Sequence, residues 1–288
     1  MKDYKVETTV MNSVNEAIEI FEKYGIKTRL NKDNLIIISH YEQPKEKTFS
    51  ELGINEDELI KNVVACEGVF DARKSSLTKF PLEASREIRL YEDTNITEMP
   101  NLKAVGALLT NSKLKKLPKL KAVGSISFEN SPLRSLPKLK EAKIFIAQNS
   151  MLEELPSLER VGKLCIVDCP LEDLKSLEVA ENVFICSSDE NLKINLKSLP
   201  KFEEVQELFV ANSSLKTLPK LKKAKKLAFY NCEVKSVKPS VCKDFEIETH
   251  INDEKLSEKF DVFTNWYNSE VLDNTMDLLG SIVSRIKS

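Results

Sequence analysis

The chain has few of the residues on which catalytic and phosphate-binding motifs depend. Of its 288 residues only seven are glycine and two are histidine, His40 and His250. Glycine-rich loops let the backbone approach phosphate groups, yet neither G-x-G-x-x-G nor G-x-x-x-x-G-K occurs. Neither histidine lies in a motif that pairs it with a nucleophile. We therefore expect no cofactor and no catalytic residues, and we predict that the protein is not an enzyme.

Long apolar runs and an excess of basic charge are also lacking. No stretch approaches the 18 apolar residues of a membrane helix, and the first residues have no apolar core of a secretory signal. The net charge of −2 gives no global basic field that would attract nucleic acid. We expect a cytoplasmic protein without a membrane span and without a nucleic-acid partner. An effector delivered without a cleaved signal is the alternative.

The six cysteines do not form a metal-binding pattern. Cys165 and Cys169 have a C-x₃-C spacing, but zinc needs a second pair of ligands, and no cysteine pair or histidine lies at a matching distance. Free cysteine behaves as a small buried apolar residue. We therefore expect six free thiols and no metal site, as in a reducing compartment.

A 19-residue repeat fills the middle of the chain. Its polar markers follow one another at that spacing, and they are Asn111, Asn130, Asn149 and Asp168, followed later by Asn212 and Asn231. Apolar residues keep fixed offsets around each marker, so that Ile126 and Phe128 correspond to Phe145 and Ala147 one unit later. A period near 20 residues predicts a solenoid in which each unit contributes one short strand.

The repeated pattern L-x-x-[VA]-x-x-[LI]-x-[FIVL]-x-N-[SC]-x-[LV] resembles the leucine-rich repeat, at the short end of its length range and similar to bacterial forms with Leu-Pro on the return. The asparagine comes one residue earlier than usual, and Ser or Cys takes its place, so either side chain is a candidate for bonding the turn backbone. The resemblance implies an α/β fold, a leucine-rich-repeat solenoid with one curved parallel sheet. It also implies a scaffold that binds other proteins.

Proline and the irregular ends define the rest of the organisation. Proline after Leu117, Leu136 and Leu155 fixes φ and removes a donor, which predicts a non-helical convex side. We expect a small α/β N-terminal cap or module over 1–64, about nine repeats over 65–250, and a helical C-terminal cap over 251–288.

The outward residues of the predicted sheet contain a candidate binding surface. Alternate residues of a strand face opposite sides, so the neighbours of the core positions point onto the free face of the sheet. A solvated face would be polar, whereas several coils place apolar residues there, and such a patch is typical of an interaction site. We predict that a protein or peptide partner binds the concave face, and self-association is the alternative. The predicted contact residues are Leu108, Ile146, Cys165, Val167, Phe184, Phe209 and Tyr230.

A second surface competes with the first. Lys119, Lys138 and Lys220 recur at one offset of the repeat, and Lys121, Lys140 and Lys222 recur at another. A solvated return limb explains these columns, and attachment to an anionic surface is the alternative. No aromatic residues alternate with the lysines, which argues against stacking on bases.

Overall fold

The protein is described here from a computed structural model. The structure describes residues 14–90, 94–110, 113–189, 191–196, 198–200, 202–216, 218, 221, 223–234 and 248–251.

One sheet of twelve strands runs through the described chain, and the strands are ordered in space as they are in sequence. Only β1 and β2 pair in antiparallel fashion, and every later pair is parallel. The molecule is therefore a mostly-strand solenoid of stacked coils. The helices are residues 14–23 (α1) and Glu56–Ile60 (α2). The strands are β1 (Thr28–Leu30), β2 (Ile36–Ile38), β3 (Val63–Asp71), β4 (Ala84–Leu90), β5 (Ala104–Thr110), β6 (Ala122–Glu129), β7 (Glu141–Gln148), β8 (Arg160–Val167), β9 (Val179–Cys186), β10 (Glu204–Ser213), β11 (Lys223–Cys232) and β12 (Glu248–Ile251).

Each strand from β4 to β11 contains a residue that the pairing skips, and this explains the apolar spacing. The pairing of β6 with β7 passes from Val123 to Ser125 and skips Gly124, and the same skip recurs from β4 to β11. Because one residue is skipped, Val123 and Ile126 both point into the core although they lie three apart. At Gly162, a Cβ atom would come within 2.6 Å of the Lys143 carbonyl oxygen, so the corner there requires glycine.

The return limbs are extended, as the Leu-Pro pairs predict. Within the described residues between β3 and β12 there is no helix, and single bridges such as Ser135 to Glu154 connect successive limbs. Leu117, Leu136 and Leu155 are buried in one continuous core, and Leu218 packs against that core while only partly buried. The hydroxyls of Ser157 and Ser176 donate to the Pro137 and Pro156 carbonyls of the preceding coil, at 2.7 and 2.6 Å.

In the turn after each strand, one residue adopts the left-handed conformation and the next residue makes a hydrogen bond to the backbone. Asn149 has φ of 52°, in the left-handed region, which asparagine tolerates better than most residues. The following Ser150 is buried, and its hydroxyl donates to the Gln148 carbonyl at 2.7 Å. Cys169 makes the equivalent contact to the Val167 carbonyl, at 3.3 Å. The Ser or Cys therefore bonds the turn backbone, and the asparagine supplies the conformation. The other described markers also have positive φ, and they are Asn130, Asp168, Asn212 and Asn231.

The N-terminal elements continue the solenoid core. Helix α1 ends before Gly25, which has φ of 77°. Helix α2 is capped by Asn55, whose side chain accepts from the Glu58 N–H. Strand β2 pairs in parallel with β3, and Tyr41 stacks on Phe70 with ring centroids 4.5 Å apart.

The spacing departs from 19 residues on both sides of β5, and this misplaces one predicted contact residue. Arg89 pairs with Leu109, 20 positions later, and Leu109 pairs with Ser127, 18 positions later. The return limb before β5 is one residue longer, and the limb after it is one residue shorter. A constant step of 19 from Arg89 leads to Leu108, which instead pairs with Ile126 and is fully buried in the core. Its predicted place on the free face was therefore wrong.

Among the described residues, no helix has the length and apolar character needed to cross a membrane. The expected C-terminal helical cap falls on residues that the structure does not describe after Ile251. The described chain is mostly strand with few helices, which supports the expected parallel-sheet solenoid but not the expected α/β class.

Candidate functional site

The free face of the sheet changes character along the solenoid. Near the N-terminal end it is charged, with an ion pair between Asp71 and Arg73 and another between Glu87 and Arg89. Small side chains follow on β5 and β6, where Ala107 and Ser125 are both buried. From β7 onward two outward rows become apolar, one through Ile146 and Phe184 and the other through Val167 and Cys186. The third outward row turns polar after Ile144, with Lys163, Asn182 and Glu207. The apolar region therefore covers part of the width of the face.

The apolar region forms a second hydrophobic cluster, separate from the core on the other side of the sheet. Its residues come from five successive strands, β7 to β11, and we call it the face cluster. Its buried members are Ile144, Ile146, Cys165, Phe184, Cys186 and Ala211, and its partly buried members are Val167, Phe209 and Tyr230.

Strand pairing brings these residues together from distant parts of the sequence. Ile146 pairs with Cys165, Cys165 with Phe184, and Phe184 with Phe209, which gives one continuous row across four strands. The Phe184 and Phe209 rings are stacked, with centroids 4.7 Å apart and planes within 5° of parallel. Six of the seven predicted contact residues thus lie in one cluster. Leu108 does not, and its neighbour Leu109 takes its place in the row.

The cluster is less accessible than an open patch would be. Ile146 is 3% exposed and Phe184 is 6% exposed, which is close to the exposure of core residues such as Leu155 at 2%. The expectation that these side chains lie bare on the face was therefore wrong for Ile146, Cys165 and Phe184. The accessible part of the cluster consists of Val167, Phe209 and Tyr230.

Sequence reasoning missed part of the cluster. Ile144 faces outward two residues before Ile146 and belongs to the cluster. Cys186 and Ala211 belong to the cluster as well, although their small side chains gave no sign of a binding role. The sequence feature that could have revealed these residues is the four-residue apolar run on each strand, such as Ile144 to Ala147.

The cysteines near the cluster are weak nucleophiles. All five described cysteines are free. Burial raises the pKa of the Cys165 thiol to about 12 and that of Cys169 to about 11, and it also raises the pKa of Cys186. The neutral thiol, which is a poor nucleophile, therefore dominates at physiological pH. Cys242 lies outside the described residues.

The polar rim of the cluster is closed by an irregular loop. The Asp168 carboxylate accepts from the Ser188 N–H at 2.8 Å and from the Ser188 hydroxyl at 2.6 Å. The Asn212 amide donates to the Ser187 carbonyl at 2.8 Å. These bonds anchor the extra residues that follow Cys186 to the strands on both sides. Glu129 and Gln148 lie beside the cluster, exposed and partly buried respectively.

The return-limb lysines make contacts with neighbouring coils. Lys140 pairs with Glu159 of the next coil at 3.0 Å, and Lys119 donates to the Asn101 side chain at 3.0 Å. These contacts lie on exposed side chains and join successive limbs. They support the solvated limb rather than an anion-binding surface. Lys220 and Lys222 lie outside the described residues.

One serine-histidine contact escaped the sequence reasoning. The Ser39 hydroxyl lies 2.9 Å from Nδ1 of His40, and the same hydroxyl accepts from the Lys27 N–H at 3.1 Å. The second bond fixes Ser39 to the β1–β2 hairpin, which accounts for its position. Within the described part of the chain, no group of three or more His, Cys, Asp or Glu residues could hold a metal ion.

Comparisons of the chain with protein-family models, curated proteins and solved structures found no match. Its class therefore follows from the fold, which is a parallel-sheet solenoid of stacked coils with an apolar cluster on the free face.

Proposed function

We propose that the protein is a non-enzymatic binding module of the leucine-rich-repeat type, and that it binds a protein or peptide partner on the free sheet face. The observation that carries this proposal is the face cluster itself. An apolar patch that reaches the surface, here through Val167, Phe209 and Tyr230, is typical of an interaction site.

The contact would centre on the accessible side chains. Phe209 and Tyr230 lie on neighbouring strands, and Val167 lies two and three strands away. Aromatic residues over a packed apolar base, with a polar rim, are typical of the residues that dominate binding energy. Ile146, Cys165 and Phe184 would then act as that base rather than as direct contacts.

The leucine-rich-repeat assignment is supported by the repeated leucines in the core, the parallel strands and the non-helical return limb. We also propose that the elements before β3 cap the first coil. Phe21 and Ile26 pack in the same core as the coils, and β2 covers the edge of β3.

The test is capture of a partner from native lysate, its identification by mass spectrometry, and a binding measurement with that partner purified. We expect the double variant Phe209→Ala with Tyr230→Ala to weaken binding by about 2 kcal/mol or more. The matched control is Leu109→Ala, in the same row as Phe209 but outside the cluster. Equal affinity in the double variant and the control, with both folded, would remove the face cluster as the site.

A further inference from the structure

We infer that the C-terminal segment, residues 252–288, packs across the face cluster of its own chain. A partner that binds the face as proposed above would compete with this segment for the same residues.

The first support is that β7 to β10 each contain a four-residue run that is apolar on both sides of the sheet. A parallel sheet with both faces covered has strands that read as continuous apolar runs, whereas a sheet with one wet face alternates. The runs here are continuous, and they are Ile144–Ala147, Leu164–Val167, Val183–Cys186 and Leu208–Ala211. One side of each run packs in the core and the other side forms the face cluster. These runs therefore have the composition of strands in a parallel sheet with both faces covered.

The second support is the low exposure of the outward residues. Cys186 is fully buried although it belongs to the outward side of β9. Ala211 and Ala228, on the two following strands, are also buried. The low exposure of these residues is that of a packed interface. A C-terminal segment packed over them would account for it.

The third support is the place where the described chain stops. Strand β12 ends at Ile251 and pairs with β11, which carries Tyr230 of the cluster. From β12 to β7 there are five strand spacings, about 24 Å in all, and a helix of about 16 residues spans that distance. The 252–288 segment is more than long enough to cross the whole cluster.

The fourth support is the sequence of the segment. Leu256, Phe260, Phe263 and Tyr267 follow one another at steps of three or four residues, which predicts a helix with one apolar side. A second series at similar steps includes Leu272, Leu279, Val283 and Ile286. An aromatic-rich helix side suits a sheet face whose largest residues are Phe184, Phe209 and Tyr230.

The experiment uses Trp266, the only tryptophan of the chain, which lies within the segment. In the full chain without any partner, Phe184→Ser with Ile146→Ser should shift the tryptophan emission to longer wavelength. It should also raise acrylamide quenching about twofold or more, because the docked segment is released. Leu109→Ser is the control, in the same row but outside the cluster, and should leave the emission unchanged. Unchanged emission in the double variant would overturn the proposal.

A second measurement keeps the test independent of folding in the variant. A photo-cross-linking amino acid placed at Phe263 in the otherwise native chain should join to peptides of β7–β10 of the same molecule. Cross-links to the end of the last coil would place the segment as an end cap, and cross-links between two molecules would make the cover a second copy. Either result would overturn the proposal.

The two hypotheses can fail separately. A released Trp266 with unchanged partner capture would retain the intramolecular contact and remove the partner site. Lost partner capture with unchanged Trp266 emission would retain the partner site and remove the intramolecular contact.

Discussion

At the scale of single residues, the turn asparagines show how a conformational requirement can resemble a hydrogen-bonding one. Asn149 is exposed and has φ of 52°, while the adjacent Ser150 makes the buried contact to the Gln148 carbonyl. The recurrence of asparagine therefore reflects its tolerance of left-handed backbone. The recurrence of Ser or Cys reflects the buried carbonyl that each must satisfy.

We predict that Asn149→Gly leaves the free energy of unfolding nearly unchanged, whereas Asn149→Val lowers it by about 1–2 kcal/mol. The reason is that a β-branched residue is strained at positive φ and glycine is not. Denaturant titration of both variants measures the difference. Equal stability of the two would show that the backbone conformation is not what selects asparagine.

The buried thiols predict a pH dependence. Burial raises the pKa of Cys169 to about 11 in the folded protein, so its contribution to stability is complete below the unfolded pKa and is lost as pH rises toward 11. Cys169→Ser removes this titration and introduces the residue that other coils carry at the same position. By pH 10 the native chain should have lost about 1–2 kcal/mol more than the variant, relative to pH 7. Parallel stability–pH curves in denaturant titrations would contradict this.

At the scale of one coil, stability comes from leucines that meet between successive units. Leu136 is fully buried, and it lies in line with Leu117 and Leu155 of the adjacent coils. A single coil has no second layer to cover these side chains, so each coil depends on its neighbours.

Leu136→Ala is expected to lower the free energy of unfolding by about 2–5 kcal/mol, because the neighbouring coils cannot close the cavity. Met151→Ala is the control from the next coil, since Met151 is 44% exposed. Thermal and denaturant unfolding of both variants give the comparison. A loss at Leu136 no larger than that at Met151 would be inconsistent with a continuous core.

At the scale of the whole molecule, one buried carboxylate connects the N-terminal elements to the first coil. The two Glu56 oxygens accept from the Tyr41 hydroxyl, the Gln43 amide and both the N–H and hydroxyl of Ser76. Tyr41 is fully buried, and desolvation together with the adjacent Glu56 carboxylate raises its pKa far above the usual range. The network therefore joins α2, the segment after β2 and the segment after β3.

Glu56→Ala should lower the free energy of unfolding by about 3 kcal/mol, because it leaves several buried donors without an acceptor. Glu58→Ala on the same helix is the control, since its ion pair with Lys61 is exposed and contributes little. Hydrogen exchange should show the loss first in residues 14–60. Equal effects of the two substitutions would argue against a structural role of the network.

The sequence by itself determined the solenoid. The recurrence of leucine, proline and asparagine defines the coil, its extended return limb and its turns, because each residue type meets a local requirement that repeats in every unit. The strand order follows from the same recurrence, since identical units stack in chain order. The apolar rows of β7 to β11 were also visible, and six of seven predicted contact residues came together as expected.

Only the tertiary structure decided the exact rows and the accessibility of the face. One return limb is a residue longer and the next a residue shorter, which moves Leu108 into the core and Leu109 onto the face. A constant period cannot reveal two compensating changes. Accessibility depends on what packs over the outward side chains, and those contacts join residues far apart in sequence. A local pattern predicts which side of a strand a residue faces, and the assembled sheet decides how much water reaches it.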